Sequence, residues 1–157
     1  MEAKRNVVEL RRKIPAPPSQ VYRALLDPKL VREWLAPGDS EVTRVEIDER
    51  VGGHYRVWQA DATGSIGGFE SEILELVPGK RVVFRWGFVG PERTRGPVID
   101  SRLTITLRPT RGGGTEVTLL HERLEGLAAE MPWVAENVGP GWDMVLDKLV
   151  AAIAEEA

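Results

Sequence analysis

Between about residue 40 and residue 123 the apolar side chains recur at every second position, and on either side they recur at helical spacing. In the alternating region Val42, Val45 and Ile47 predict a strand with an irregularity at Thr43-Arg44. Tyr55 and Val57 alternate with His54, Arg56 and Trp58. Phe69–Val77 reads as a strand, Val82, Phe84 and Trp86 share one face of the next, and Leu103, Ile105 and Leu107 share a face of another. Val117, Leu119 and His121 fall on the inner face of the last. Gly52-Gly53, Gly64 with Gly67-Gly68, Pro78-Gly79 and Gly112-Gly113-Gly114 mark turns, and residues 87–97 form a Gly/Pro-rich loop. Strands this close, joined by short turns, predict an antiparallel meander.

The flanks differ. Segment 5–14 reads as a first strand, stopped by Pro15, Pro17 and Pro18. Pro17, Pro18 or Ser19 opens a helix bearing Val21, Tyr22, Leu25 and Leu26. Asp27-Pro28 breaks it and starts a second with Leu30, Val31, Trp34 and Leu35 on one face. Near the C-terminus Trp142, Val145, Leu146, Leu149 and Ile153 make an amphipathic stripe, with Asp143, Asp147 and Lys148 mostly off it. Gly139-Pro140-Gly141 either caps this helix or kinks a longer one from near Met131. The predicted fold class is α+β: a curved antiparallel sheet of about seven strands around a long C-terminal helix, with two short helices after the first strand.

Four local patterns in this order resemble the helix-grip fold of the START/Bet v 1-like (SRPBCC) superfamily. More narrowly, they resemble bacterial proteins similar to the C-terminal domain of the Hsp90 ATPase activator. They are Ala16–Leu25, Asp27-Pro28 through Trp34, Gly52-Gly53-His54-Tyr55 with Ile73–Trp86, and His121 with Gly141-Trp142, Leu146 and Leu149. The likeness spans nearly the whole chain and implies one helix-grip domain over residues 1–157. The space between sheet and helix is then either filled or hollow, and the fold hosts lipid carriers, receptors, cyclases and co-chaperone domains alike. The loop at 87–98 is longer than the family's hairpin and is expected at the cavity mouth.

Composition narrows the functions. There are 21 Lys and Arg against 24 Asp and Glu, a net charge of −3, which argues against a nucleic-acid binder. No apolar run approaches the ~20 residues of a membrane helix, so no membrane partner is expected. Cysteine is absent. That excludes disulfides and Cys-ligated metals and makes the cytoplasm the simplest location. His54 and His121 are far apart with no metal-ligand spacing, so neither a metal nor another cofactor is expected. Ser65, Ser71 and Ser101 lie in no nucleophile motif, and the Gly-rich pieces lack a P-loop's Lys-Ser/Thr ending. Arg11-Arg12-Lys13 reads as a solvated strand edge, and Arg85 and Arg102 as solvated outer-face residues.

What stands out is tryptophan: five among ten aromatic residues. Trp34, Tyr55, Phe69, Trp86, Trp133 and Trp142 are the expected aromatic lining of a pocket, with His121 as its polar anchor. Core packing is the alternative for at least two of the Trp residues, and for His121 a buried ring hydrogen-bonded to a neighbour. Trp58 should face outward, as it would in a homodimer interface or as a lone surface aromatic. The leading expectation is binding of a small hydrophobic or amphipathic molecule in a cavity of at least ~300 Å³. A cyclase-like enzyme on a polyketide-type substrate, with His121 as acid/base and a Tyr hydroxyl assisting, is the second. A chaperone-interacting domain is the third. No residue pair forces a chemistry, so no catalytic residue is named and enzyme status stays open.

Overall fold

The computed structural model describes residues 6–93 and 95–156; Arg5 of the expected first strand and Thr94 of the loop lie outside them. The elements run β1 (Val8–Ile14), α1 (Pro18–Leu26), α2 (Pro28–Trp34), β2 (Glu41–Ile47), β3 (His54–Asp61), β4 (Gly64–Val77), β5 (Arg81–Val89), β6 (Ile99–Pro109), β7 (Thr115–Glu122), α3 (Glu125–Glu130), α4 (Pro132–Glu136) and α5 (Val138–Glu156). The strands form one sheet in the order β1-β7-β6-β5-β4-β3-β2, with every pairing antiparallel. Six strands follow one another as a meander. β1 closes one edge against β7, and the α1–α2 pair carries the chain across to β2 at the other. The α+β helix-grip arrangement is therefore the observed one.

Local chemistry explains most boundaries. Pro18 opens α1 where a missing N–H costs nothing. The Asp27 carboxylate accepts from the Lys29 N–H (2.9 Å) and caps α2. The apolar stripe of α5 buries Val138, Trp142, Val145, Leu146, Leu149, Ala152 and Ile153. At about 2 kcal/mol per large side chain, this stripe is what holds the helix to the sheet. Lys148 donates to the Ala36 and Gly38 carbonyls just past α2, tying the two helices.

Four expectations are corrected. The turn between β3 and β4 lies at residues 62–63, where Asp61 accepts from the Thr63 N–H (2.8 Å). β4 therefore starts at Gly64, and Gly67-Gly68 sit inside it. β5 runs on through Gly87, Phe88 and Val89, so the loop is shorter, 90–98. Gly139-Pro140-Gly141 neither caps nor kinks a helix from Met131. It lies in the first turn of α5, where proline fits, and α3 and α4 precede it. Arg12 is not a solvated edge residue: it shares the inner face of β1 with Leu10 and Ile14 and pairs with Asp143 (2.6 Å) and Asp147 of α5. The irregularity expected in β2 is present as a register shift between Val42 and Arg44.

Gly67 and Gly68 have φ of +100° and +148°, and a Cβ at Gly68 would lie 2.0 Å from the Val57 carbonyl oxygen. At Gly113 φ is +88° but no atom lies within 4 Å of the Cβ position. Gly68→Ala is thus expected to cost about 3 kcal/mol or more of unfolding free energy and Gly113→Ala about 1 kcal/mol, the strain of a left-handed residue alone. Urea denaturation of the two variants checks this; equal losses would count against the close approach at Gly68.

Candidate functional site

A cavity of about 460 Å³ opens between the inner face of the sheet and the N-terminal half of α5. Its sheet wall is Gln59 on β3, Ile66, Gly68 and Phe69 on β4, and Trp86, Phe88 and Val89 on β5. Gly90 and Pro91 continue it into the loop. The helical wall is Leu35 and Pro37 beyond α2, Met131, Trp133 and Val134 from α4 and its approach, and Val138, Gly141, Trp142 and Val145 from α5 with Asn137 at its start. Alternation explains the sheet side, since Tyr55, Val57 and Gln59 of β3 point inward.

Of the seven expected lining residues, Phe69, Trp86, Trp133 and Trp142 lie on the wall. Phe69 and Trp86 are in ring contact (centroids 4.6 Å), as are Trp86 and Trp142 (5.8 Å). Trp133 is 64% exposed and stands at the rim. Trp34 and Tyr55 lie deeper. They border a closed void too small for water, together with Leu25, Phe84, Leu103 and Ile105. Each has its polar atom committed to α1: the Trp34 indole N–H donates to the Ala24 carbonyl (3.0 Å) and the Tyr55 hydroxyl to that of Leu25 (2.7 Å). Burial pushes the Tyr55 phenol pKa up, so it stays a neutral donor.

His121 is fully buried behind the wall, stacked on Phe88 (centroids 5.6 Å, interplanar angle 7°). The Trp142 indole N–H donates to its Nδ1 (3.0 Å), which fixes the neutral tautomer with the proton on Nε2. Nε2 then donates to Ser101 Oγ (2.7 Å), and Ser101 donates to the Trp86 carbonyl (2.8 Å). Every proton in this line has an acceptor. A second proton on the ring would face the Trp142 N–H, and desolvation pushes the His121 pKa down to about 3. A group so enclosed and so weakly basic is poorly placed for acid–base work near neutrality.

Sequence reasoning missed Gln59. It is buried on the inner face, and its Nε2 donates to the Leu35 carbonyl (2.9 Å). Its place two residues beyond Val57 on the inward alternation was the available signal. The aliphatic wall from Leu35, Val138 and Val145 was also missed, because nothing in a helical stripe tells a cavity-facing residue from a packed one. Among the described residues no group of His, Asp and Glu could hold a metal ion. No helix among the described residues is long and apolar enough to cross a membrane.

The loop that borders the mouth is fastened from outside. Arg93 donates to Glu70 (2.9 Å) and to the carbonyls of Val57 (2.7 Å) and Phe69. Its guanidinium also lies 4.1 Å from the centre of the Trp58 ring, and that of Arg44 lies 4.8 Å from it. The outward Trp58 is thus half-buried under two cations. Arg85 pairs with Asp100 (2.6 Å) on the same face.

The family model described as Activator of Hsp90 ATPase homolog 1-like protein matches residues 15–154. The chain belongs to this family. Among solved structures, a protein from Chromobacterium violaceum is 33% identical, covering 94% of this chain and 97% of its own, with a TM-score of 0.77. One from Nitrosomonas europaea is 22% identical over 97% and 96% of the two chains (TM-score 0.79) and shares the fold. A protein in the dynemicin biosynthetic locus is 21% identical with a TM-score of 0.69, covering 95% of this chain and 47% of that one. A search of curated proteins gave no match.

The buried His121 makes stability pH-dependent with a defined sign. Its folded pKa, about 3, lies below its ordinary 6.5. The neutral ring's contribution is complete above 6.5 and is lost as pH falls toward 3. Between pH 7 and pH 5 the unaltered protein is expected to lose about 2 kcal/mol more than His121→Gln, at about 1.4 kcal/mol per pH unit below 6.5. Urea midpoints at both pH values check this; parallel losses would show that His121 does not titrate in this way.

Proposed function

We propose that this protein binds a small hydrophobic or amphipathic molecule in the cavity between the curved sheet and α5. The observation that carries the reading is the cavity itself: about 460 Å³, walled mainly by aromatic and aliphatic side chains, with a few amide and indole groups. That volume lies within the ~300–1,000 Å³ range of small-molecule sites. A cluster of Phe69, Trp86, Phe88 and Trp142 offers flat apolar surface, whose burial against a ligand is worth about 25 cal/mol per Å² before entropic costs. A related fold in a protein of a biosynthetic locus agrees with such a role. A cysteine-free chain suits the cytoplasm, which is part of the proposal. An acid–base role for His121 gains no support from its geometry, and Tyr55 is committed to α1.

Trp86 and Trp142 on the wall supply the readout. Titration with fatty acids, flavonoids and aromatic polyketides is expected to give a saturable change in Trp emission for at least one class. Val134→Trp, placed in a half-buried part of the wall, should abolish that change while leaving the thermal midpoint within a few degrees. Undiminished binding to the filled variant, or no response to any class, would remove the cavity from consideration as the binding site.

A further inference from the structure

The polarity of the cavity narrows the ligand further, and this step rests on the cavity being a binding site. None of the described lining residues carries a charge. Cations near its edge are committed elsewhere: Lys148 to the Ala36 and Gly38 carbonyls, Arg93 to Glu70 and two strand carbonyls. At the start of α5 Pro140 has no N–H and the Asn137 and Gly141 N–H groups already donate to the Val134 and Asn137 carbonyls, which leaves the Val138 and Gly139 N–H groups and no charged side chain. A buried carboxylate here would lose its water without gaining a counter-charge.

Gln59 supplies a hydrogen-bond acceptor on the sheet wall. The Leu35 oxygen is a pure acceptor, so the carboxamide must turn its NH2 toward it, which fixes the amide's orientation. Among the described residues Oε1 then receives no hydrogen bond. The fully buried side-chain polar atom without a partner among the described residues is the Trp86 indole nitrogen, not Gln59 Oε1, so that oxygen keeps some accessible surface at the cavity that Gln59 lines. It is an acceptor in an aromatic-walled cavity, waiting for a donor.

We infer that the cavity selects an uncharged aromatic molecule whose hydroxyl donates a hydrogen bond to Gln59 Oε1, and that it discriminates against the matching carboxylate. Gln59 is on this reading the specificity-determining residue. The flat rings of Phe69, Trp86, Phe88 and Trp142 take the ligand's faces, and Gln59 reads its edge.

Calorimetry with the full chain at pH 7 and three probes of one shape, 2-naphthol, naphthalene and 2-naphthoate, tests this. Naphthol is expected to bind about tenfold more tightly than naphthalene, the worth of one hydrogen bond, and naphthoate more weakly than naphthalene. In Gln59→Leu the preference for naphthol over naphthalene should vanish, the two affinities being compared within that one variant. The ranking in the unaltered protein stands as a test even if that variant does not fold. Naphthoate binding as tightly as naphthol, or naphthol no tighter than naphthalene, overturns the inference while leaving a binding cavity. Failure of all three probes overturns the inference, while the binding role is judged separately by the titration with fatty acids, flavonoids and aromatic polyketides.

Discussion

A line of hydrogen bonds crosses the molecule from Trp142 on α5 to His121 on β7, to Ser101 on β6, and on to the Trp86 carbonyl on β5. It fixes where the long helix sits on the sheet, because hydrophobic contact alone is non-directional and would allow α5 to slide along its stripe. Every link is buried, so breaking one leaves polar groups with no water to turn to. The neutral state of His121 follows from this line, since only one tautomer satisfies both neighbours. So does the cavity's geometry: Trp142 and Trp86, the two ends of the line, are adjacent panels of its wall.

From that anchor the helix treats the two ends of the sheet differently. Toward its C-terminus Leu146, Leu149 and Ile153 are packed, and Trp34, Tyr55 and Phe84 leave a void too small for water. Toward its N-terminus Val138, Gly141 and Val145 face open space. Met131 and α4 border that opening without filling it, and Trp133 of α4 is left largely in solvent. One aromatic cluster thus serves as core on one side and as cavity wall on the other, with Trp86 bordering both spaces.

On the outer face, charge does a different task. Exposed ion pairs such as Arg81–Glu75 contribute little. Arg93 differs because its side chain is only 10% exposed and meets Glu70, two strand carbonyls and Trp58 together. It occupies the place where Gly67-Gly68 distorts β4, and a Cβ at Gly68 would lie 3.1 Å from its Nη1. The cavity-bordering loop and the glycine irregularity are therefore one local structure. Residues adjacent in it, such as Gly68 and Phe69, form the wall on the opposite side of the sheet.

Much of this was written in local pattern. Period-two alternation set the strands and their inward faces, proline and glycine placed most of the turns, and the α5 stripe was legible as a helix seeking an apolar partner. Such features depend on neighbours within a few residues, so local pattern was enough for the order of the strands, α1, α2 and α5, for the α+β class and for the inward direction of His121, whereas α3 and α4 were not legible. It misplaced the turn at Gly67-Gly68, because glycine required by a close backbone approach looks the same as glycine required by a turn. It could not separate Trp142 from Trp34, or see that Gln59 would matter and Tyr55 would be sealed. Those distinctions turn on how far α5 stands from each strand. That distance is set by contacts between residues such as Trp142 and His121, 21 positions apart, and Arg12 and Asp147, 135 apart. Whether an inward apolar side chain meets another side chain or an empty space is therefore decided only in the tertiary structure.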